Sequence, residues 1–431
     1  MWGITRYQWT VLLAAWLGWG FDAMDALLFN FVAPNCIPTL MHLPIGSPAA
    51  RSAALYWTGL FTSLLLLGWA AGGLLFGFLC DRFGRLRMLM LTMLMYAAGT
   101  AACAAATSLW MLLIFRIVAS LGIGGEWAAG ASMVAEVMPE KRRIEAGALL
   151  YTAAPLGIFL ATFINYEIAG VWFADDPTHS WRYVFAFGLL PALAAIVVRF
   201  FVHEPERWSR VKDVAAAASV RQLFAPAMWR RTVWGTFVAI IALFGWWCCN
   251  AFIPIVASGM AREVAAARGY SEFATQRLAE HWIFWGGSTF NLGGLIGTLL
   301  TVPLAKRIGR RPMFAIYFAA SGAVILGVFG WPLSPELRLD SLFLIGITVF
   351  GVFGAFTYYL PELFPTRLRA TGSGFSYNIG RVAASVGPFI VGAAAVSGGA
   401  VRAIFYVGFI PLAGALFAPF YIETRNQVLP D

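Results

Sequence analysis

Charged side chains are scarce in this sequence. Only 12% of its 431 residues are Asp, Glu, Lys or Arg, whereas 60% are hydrophobic. Soluble domains are usually about one quarter charged. Histidine and cysteine are also rare, and neither the four histidines nor the five cysteines show metal-site or disulfide spacing. These shortages argue against a soluble domain, a metal-dependent hydrolase and a disulfide-rich secreted protein. We expect no metal and no cofactor.

Long apolar runs are what the sequence has instead. Its mean hydropathy is +0.75, and a helix needs about 20 apolar residues to cross a bilayer. The first run is too long for a secretory signal peptide and no cleavage site follows it, so we expect it to remain as an anchor. The sequence predicts an all-α membrane protein with twelve transmembrane helices, near 9–37, 55–80, 88–107, 109–138, 146–173, 183–202, 232–260, 282–305, 313–331, 341–361, 370–396 and 401–421.

The net charge of +9 indicates membrane orientation rather than a nucleic-acid partner. Lys and Arg concentrate near the N-terminus, after spans two, four, six, eight and ten, and in the C-terminal tail. Loops rich in Lys and Arg face the cytoplasm. With an even number of spans, this asymmetry places both termini in the cytoplasm. We therefore expect a multi-pass protein of the cell inner membrane.

Two short motifs recur at nearly the same offset. Residues 81–85 read DRFGR and residues 306–310 read KRIGR, and Glu136-x-x-Pro139 returns as Glu362-x-x-Pro365. A duplicated six-helix unit explains both matches, and such duplication places a substrate site between the halves. We expect an N-terminal bundle at 1–202, a cytoplasmic linker at 203–231 and a C-terminal bundle with a short cytoplasmic tail at 232–431.

Asp22 and Asp25 lie well inside the first apolar run. An ionised aspartate at the centre of a membrane helix costs about 2.5–3.5 kcal/mol. Residues three apart share a helix face, and adjacent carboxylates raise each other's affinity for protons. The pair predicts a proton-binding site, with Asp25 as the main carrier. The alternative is that one aspartate caps or pairs with a neighbouring helix.

Two arginines also lie inside apolar runs, Arg116 in span four and Arg381 in span eleven. A guanidinium keeps its proton, so a buried arginine needs an anion or a carbonyl. Arg381 is near the middle of its span with Tyr377 and Asn378 close by, and the first half has no matching cation. Guanidinium binds carboxylates through two hydrogen bonds. We expect Arg381, with Tyr377 and Asn378, to bind an anionic substrate; pairing with an internal acid is the alternative.

Other polar and aromatic side chains are predicted to complete the cavity. The repeat places Asn250 opposite Asp25, and Glu126 follows a glycine-rich stretch that allows close helix packing. We expect Glu126 to be a second proton site or a structural hydrogen-bonding group. The further predicted lining residues are Trp246, Trp247, Asn250, Asn291, Tyr358 and Tyr359.

Charged residues at the cytoplasmic ends of the spans are predicted to form a gate. Acids and bases occur there on neighbouring helices, so ion pairs between them can hold one conformation and break on opening. The predicted gate residues are Asp81, Arg82, Arg85, Glu136, Arg142, Arg143, Glu362 and Arg369.

Several of these motifs resemble those of the major facilitator superfamily. Gly77-x-x-x-Asp81-Arg82-x-Gly84-Arg85 is similar to its loop signature, although the second copy has Val302 and Lys306 for the glycine and the aspartate. Span four, reading RIVASLGIGGEW, is similar to the pattern shared by sugar porters and several organic-acid porters. FDAMD, GGEW and PELFPTRLR resemble segments of metabolite, sialate and aromatic-acid proton symporters.

The resemblance implies a monomeric secondary transporter, not an enzyme, that imports a small carboxylate with protons by alternating access. A monocarboxylate such as lactate, an aromatic acid and a sialic acid all fit. In sugar porters the matching arginine approaches the aspartate of span one, which implies that Arg116 senses the charge of Asp25. A proton-coupled sugar or polyol porter is the nearest alternative, and Arg381 argues against it. A transport-like nutrient sensor is another, but no cytoplasmic signalling domain is evident.

Overall fold

The computed structural model describes residues 4–83, 85–139, 142–193, 220–365 and 368–425. Within these ranges no β-strand occurs, and nine helices are long and apolar enough to cross a membrane. Two shorter helices, Leu109–Gly124 and Ala400–Leu416, are also apolar. The all-α membrane architecture is thereby confirmed. The second part of the predicted sixth span and most of the predicted linker lie outside the described residues.

The helices of the predicted N-terminal half follow the apolar runs closely. A Thr5–Gln8 capping box starts the first helix, and span five is divided, ending in a π-helical segment at Tyr166–Trp172. The helices are α1 (Arg6–Leu40), α2 (Pro48–Phe83), α3 (Arg85–Cys103), α4 (Leu109–Val137), α5 (Arg143–Tyr151), α6 (Ala153–Asn165) and α7 (Ser180–Ala186).

The predicted C-terminal half is also helical, with span ten broken up by a π-helical segment at Gly346–Phe350 and a 3-10 segment at Gly351–Ala355. Glycines in this span lie against the long helix Glu272–Ile308 that precedes it in the chain, where close approach is needed. The helices are α8 (Trp229–Asn250), α9 (Ile253–Ala267), α10 (Glu272–Ile308), α11 (Arg310–Gly330), α12 (Pro335–Asp340), α13 (Leu342–Ile345), α14 (Phe356–Glu362), α15 (Arg369–Ala384), α16 (Val386–Gly398), α17 (Ala400–Val407) and α18 (Phe409–Leu416).

Helix α1 occupies a central position and is buried from Val11 to Pro38 along most of its length. Gly157 of α6 lies directly against the backbone of Gly20, so α1 and α6 are in close contact. This packing buries the carboxylates of Asp22 and Asp25 completely. The tertiary fold therefore places both acids in the interior, where they must interact with other helices.

Helices of the two predicted halves are in direct contact with each other. Gly59 of α2 lies against the Pro388 carbonyl of α16, and α1 and α6 are both hydrogen-bonded to α10. We call the end at which α1 ends and α2 begins the outer end, because the charge asymmetry predicts that it faces away from the cytoplasm. The hydrogen bonds of α1 and α6 to α10 join the two predicted halves at this end.

Candidate functional site

Arg116 and Asp25 form a buried pair between α4 and α1. The Arg116 Nη1 lies 3.6 Å from the Asp25 Oδ1. The same nitrogen donates to the Asp25 backbone carbonyl at 3.2 Å and to the Thr100 hydroxyl of α3 at 3.1 Å. The Nη2 donates to the Ala26 carbonyl at 2.9 Å. Three acceptors that carry no net charge therefore hold Arg116 in addition to the Asp25 carboxylate.

Arg381 lies on α15 in an aromatic and polar setting. Its guanidinium carbon is 4.2 Å from the Trp69 ring centroid and 4.9 Å from that of Tyr377. The Nη1 donates to the Asn378 Oδ1 at 3.1 Å, whereas the Nε has no hydrogen-bond acceptor among the described residues. Arg381 is buried. Because its Nε–H has no acceptor among the described residues, the guanidinium can still bind an anion. The structure thus brings together Arg381, Tyr377 and Asn378, as predicted.

Asp22 acts electrostatically on this second cluster. Its charge acts on both Arg381 and Tyr377. The Tyr377 hydroxyl also lies within hydrogen-bonding reach of Tyr151 and of the Arg381 guanidinium. The two aspartates of α1 therefore have different partners: Asp25 interacts with Arg116 inside the predicted N-terminal half, and Asp22 interacts with Arg381 of the other half.

The tryptophans extend the Arg381 cluster across the interface between the halves. The ring of Trp69 meets that of Trp247 edge to face at 5.7 Å, and Trp247 meets Trp246 at 4.6 Å. Trp246 in turn contacts Phe350. Trp247 therefore lies beside the candidate site, while Trp246 packs behind it.

The remaining predicted lining residues divide into two groups. Asn250 and Asn291 are buried, and Asn291 donates to the Gly287 carbonyl of its own helix at 2.7 Å. Tyr358 donates to the Thr301 carbonyl at 3.4 Å and Tyr359 to the Ile422 carbonyl at 3.0 Å. Because α14 spans only Phe356–Glu362, both tyrosines lie within about one turn of Glu362 and form part of the cytoplasmic end. These two tyrosines therefore lie apart from the Arg381 cluster.

Glu362 belongs to a charged cluster at the predicted cytoplasmic end. Its carboxylate accepts hydrogen bonds from Arg310 at 2.8 and 3.1 Å and from the Thr424 hydroxyl at 2.5 Å. Glu423 accepts the backbone N–H groups of Arg310 and Arg311, both at 3.0 Å. Burial opposes ionisation of Glu423, but its backbone donors outweigh burial and hold the pKa of this carboxyl below its usual range. The KRIGR turn is thereby fixed to α14 and to the C-terminal tail.

Gly309 allows the turn between α10 and α11. Its φ is +101°, a conformation that favours glycine. A Cβ at this position would contact the Glu423 carboxylate. The second copy of the repeated loop motif therefore uses its glycine for backbone conformation and for space beside an acidic side chain.

Most of the predicted gate on the N-terminal side falls outside the described residues. Arg142 is half-buried just before α5. The side chains of Asp81, Arg82, Arg85, Glu126, Glu136, Arg143 and Arg369 lie outside the described part of the structure, and their roles stay predictions.

We expect Glu362→Gln to lower the thermal unfolding midpoint of the purified protein by about 5 °C. The substitution keeps the side-chain shape but leaves the largely buried Arg310 guanidinium beside a neutral group. Differential scanning fluorimetry in detergent measures the midpoint. Glu336→Gln is the matched control, because the Glu336–Arg268 pair is about half exposed and should shift the midpoint little. Equal midpoints for both variants would show that the Glu362 cluster does not stabilise the fold.

Sequence reasoning missed five residues that the structure brings to these clusters: Trp69, Thr100, Tyr151, Glu280 and Arg310. Trp69, Thr100 and Tyr151 are ordinary residues of apolar helices, and no sequence signal distinguishes them. A sequence signal does exist for Arg310, because this residue belongs to the repeated KRIGR motif. Glu280 lies just before the predicted span at 282–305, although α10 begins as early as Glu272.

Ionisable side chains buried inside a helical membrane protein, such as Asp25, Arg116 and Arg381, mark substrate or ion pathways. A profile of the Major Facilitator Superfamily matches residues 15–388, and the chain belongs to that superfamily. It is a multi-pass membrane transporter and not an enzyme. The resemblance inferred from the loop and span-four motifs is confirmed.

Two curated relatives and one solved structure illustrate the similarity. The chain is 30% identical to a "probable 4-methylmuconolactone transporter" of Cupriavidus pinatubonensis, over 85% of this chain and 79% of the relative. It is 28% identical to the cis,cis-muconate transport protein of Acinetobacter baylyi, over 83% and 82%. The crystal structure of a D-xylose-proton symporter matches with a TM-score of 0.76 at 19% identity, over 98% of this chain and 100% of the symporter. At that identity the last match shows the fold alone.

Proposed function

We propose that the protein imports a small organic acid anion together with a proton by alternating access. The observation that carries this proposal is Arg381, a buried cation at the interface of the predicted halves with an unused Nε. The names of the muconate and 4-methylmuconolactone transporters support an organic acid as the substrate class. A neutral sugar offers no charge to balance Arg381, which disfavours the sugar or polyol porter despite the xylose-symporter fold.

In this proposal Arg381 binds the substrate carboxylate. The fork of a guanidinium can hold a carboxylate through two hydrogen bonds, and the rings of Trp69, Tyr377 and Trp247 provide apolar surface for the rest of a small acid. Asp22 is the internal anion that acts on Arg381 before substrate arrives. A proton that reaches Asp22 by way of Asp25 removes this competition, so substrate binding and proton binding favour each other.

Asp25 is the proposed main proton carrier. It is fully buried, and its partner Arg116 has three other acceptors. Asp25 can therefore gain or lose a proton without leaving Arg116 unsatisfied, which a reversible coupling site requires. Glu126 remains a predicted second proton site. We further propose that the transporter acts as a monomer in the inner membrane and that the cytoplasmic charged residues act as its gate.

Uptake into proteoliposomes tests this function. We expect at least one labelled acid among muconate, benzoate, lactate and a sialic acid to enter, with faster uptake when the outer solution is more acidic. Xylose is the control for the sugar-porter alternative and should not enter. Because weak acids cross bilayers in their neutral form, uptake into protein-free liposomes is subtracted. Xylose uptake without acid uptake, or acid uptake that ignores the imposed gradient, would contradict the proposal.

A further inference from the structure

Glu280 is a carboxylate enclosed by amide side chains at the outer end of the molecule. It lies two turns into α10 and is 1% exposed. Its Oε1 accepts hydrogen bonds from the Asn35 Nδ2 at 2.8 Å and from the Gln276 Nε2 at 3.0 Å. Its Oε2 accepts from the Asn165 Nδ2 at 3.0 Å. Three donors therefore converge on one buried carboxylate.

These hydrogen bonds connect the two predicted halves. Asn35 lies near the end of α1 and Asn165 at the end of α6, whereas Gln276 and Glu280 belong to α10. The Gln276 Nε2 also reaches the Asn35 Oδ1 at 3.4 Å. We call Asn35, Asn165, Gln276 and Glu280 the outer amide cluster. The bonds that Asn35 and Asn165 make in this cluster must break whenever the halves separate at this end.

The chemistry of the cluster requires an acceptor at position 280. An ionised carboxylate only accepts hydrogen bonds, which matches three N–H donors, and bonds to a charged acceptor are stronger than neutral ones. A glutamine at 280 would turn an NH2 group toward donors that need an acceptor. A buried donor left without a partner is costly, so this substitution selectively weakens the closed arrangement.

Arg262 connects the cluster to the outer surface. Its Nη2 donates to the Gln276 Oε1 at 2.6 Å, which orients the Gln276 amide so that its Nε2 points to Glu280. Arg262 and Ser258 of α9 also line a narrow crevice with Pro34 of α1 and Arg51 of α2. This crevice lies where the two halves meet and would widen on outward opening.

We propose that Glu280 is a positioning residue for transport, whose bonds within the outer amide cluster hold the transporter closed to the outside. The proposal rests on alternating access and does not depend on the identity of the substrate or on proton coupling. Each opening to the outside breaks the bonds to Asn35 and Asn165, and each closure re-forms them. Glu280 thereby sets the balance between the outward-closed and outward-open states.

The test is the accessibility of the crevice to a thiol reagent. In the full-length protein bearing Ser258→Cys, a membrane-impermeant maleimide is added to the outer face of right-side-out vesicles. Adding Glu280→Gln should raise the labelling rate about tenfold, because the outward-open population increases. The protein without Ser258→Cys gives the background from native cysteines, of which Cys36, Cys103, Cys248 and Cys249 are buried.

A matched control and a second variant distinguish an effect on the outer amide cluster from general destabilisation. Glu272→Gln changes an exposed carboxylate on the same helix that contacts Arg262 at 3.4 Å, and it should leave labelling unchanged. Asn35→Asp places a second carboxylate against Glu280 and should also raise labelling. Size-exclusion profiles establish folding. If folded Glu280→Gln labels at the rate of Ser258→Cys alone, the proposal is overturned; if that variant does not fold, the same criterion applies to Asn35→Asp.

This assay uses no transported substrate, so its outcome is independent of the proposed function. Faster labelling of Glu280→Gln supports the proposed role of Glu280 in the outer amide cluster even if carboxylate symport proves wrong. Unchanged labelling overturns the proposed role of Glu280 even if carboxylate symport is demonstrated.

Discussion

Asp25→Asn is expected to reduce proton-driven accumulation of the acid to simple equilibration across the membrane. One coupled proton and a gradient of one pH unit supply about 1.4 kcal/mol, which corresponds to about tenfold accumulation. Asparagine has the shape of aspartate but cannot carry a proton. Since Arg116 keeps Thr100 and two backbone carbonyls as acceptors, we expect the variant to fold. Its inside-to-outside substrate ratio should fall from about ten to about one.

Substrate exchange distinguishes lost coupling from a lost binding site. Proteoliposomes loaded with unlabelled acid should exchange it for external labelled acid in Asp25→Asn nearly as in the parent protein, because exchange needs no net proton movement. Asp176→Asn changes an exposed loop carboxylate and should retain tenfold accumulation. An Asp25→Asn protein that accumulates substrate like the parent would exclude Asp25 as the proton carrier.

Arg381→Gln is expected to weaken substrate binding by about 100-fold or more. Loss of one member of a buried, hydrogen-bonded charge pair costs about 2–5 kcal/mol. Arg381→Lys keeps a positive charge but lacks the planar fork, so we expect a smaller loss of about tenfold. Binding is measured as the concentration of unlabelled acid that halves counterflow. Quenching of tryptophan fluorescence offers a second readout, because Trp69 lies against the guanidinium.

The Arg381→Gln experiment needs a control for the effect of the Asp22 charge on stability. Removing Arg381 alone leaves the buried Asp22 without that cation, which can destabilise the protein. The double variant Asp22→Asn/Arg381→Gln removes both charges and should recover thermal stability without recovering affinity. Arg268→Gln, in an exposed pair, should change neither property. Parent-like affinity in the double variant would show that Arg381 does not bind the carboxylate.

Hydropathy and charge asymmetry were sufficient to predict the membrane architecture, and the loop motifs to predict the superfamily. These signals are local: an apolar run of about 20 residues predicts a span wherever it packs. Burial of individual polar residues depends on distant helices instead. Glu280 illustrates the difference, because two of its three donors come from α1 and α6, more than 100 residues earlier.

The aspartates of α1 show the same limit at the candidate site. Their spacing predicts a shared helix face, but residues three apart still differ in direction by about 60° at 100° per residue. That angle is enough for Asp25 to interact with Arg116 of α4 and for Asp22 to interact with Arg381 of α15. The spacing alone does not determine which helix lies on either side. Tyr358 and Tyr359 lie near Glu362 for a related reason, because the apolar run does not indicate the irregular segments before α14.

The most direct measurement is proton uptake during transport of the acid. Proteoliposomes are placed in weakly buffered medium at equal internal and external pH, and the external pH is recorded when an imported acid from the uptake screen is added. We expect transient alkalinisation of the medium with the parent protein, beyond that of protein-free liposomes, and none with Asp25→Asn. Uptake of the acid by the parent protein without any change in external pH would contradict proton-coupled transport.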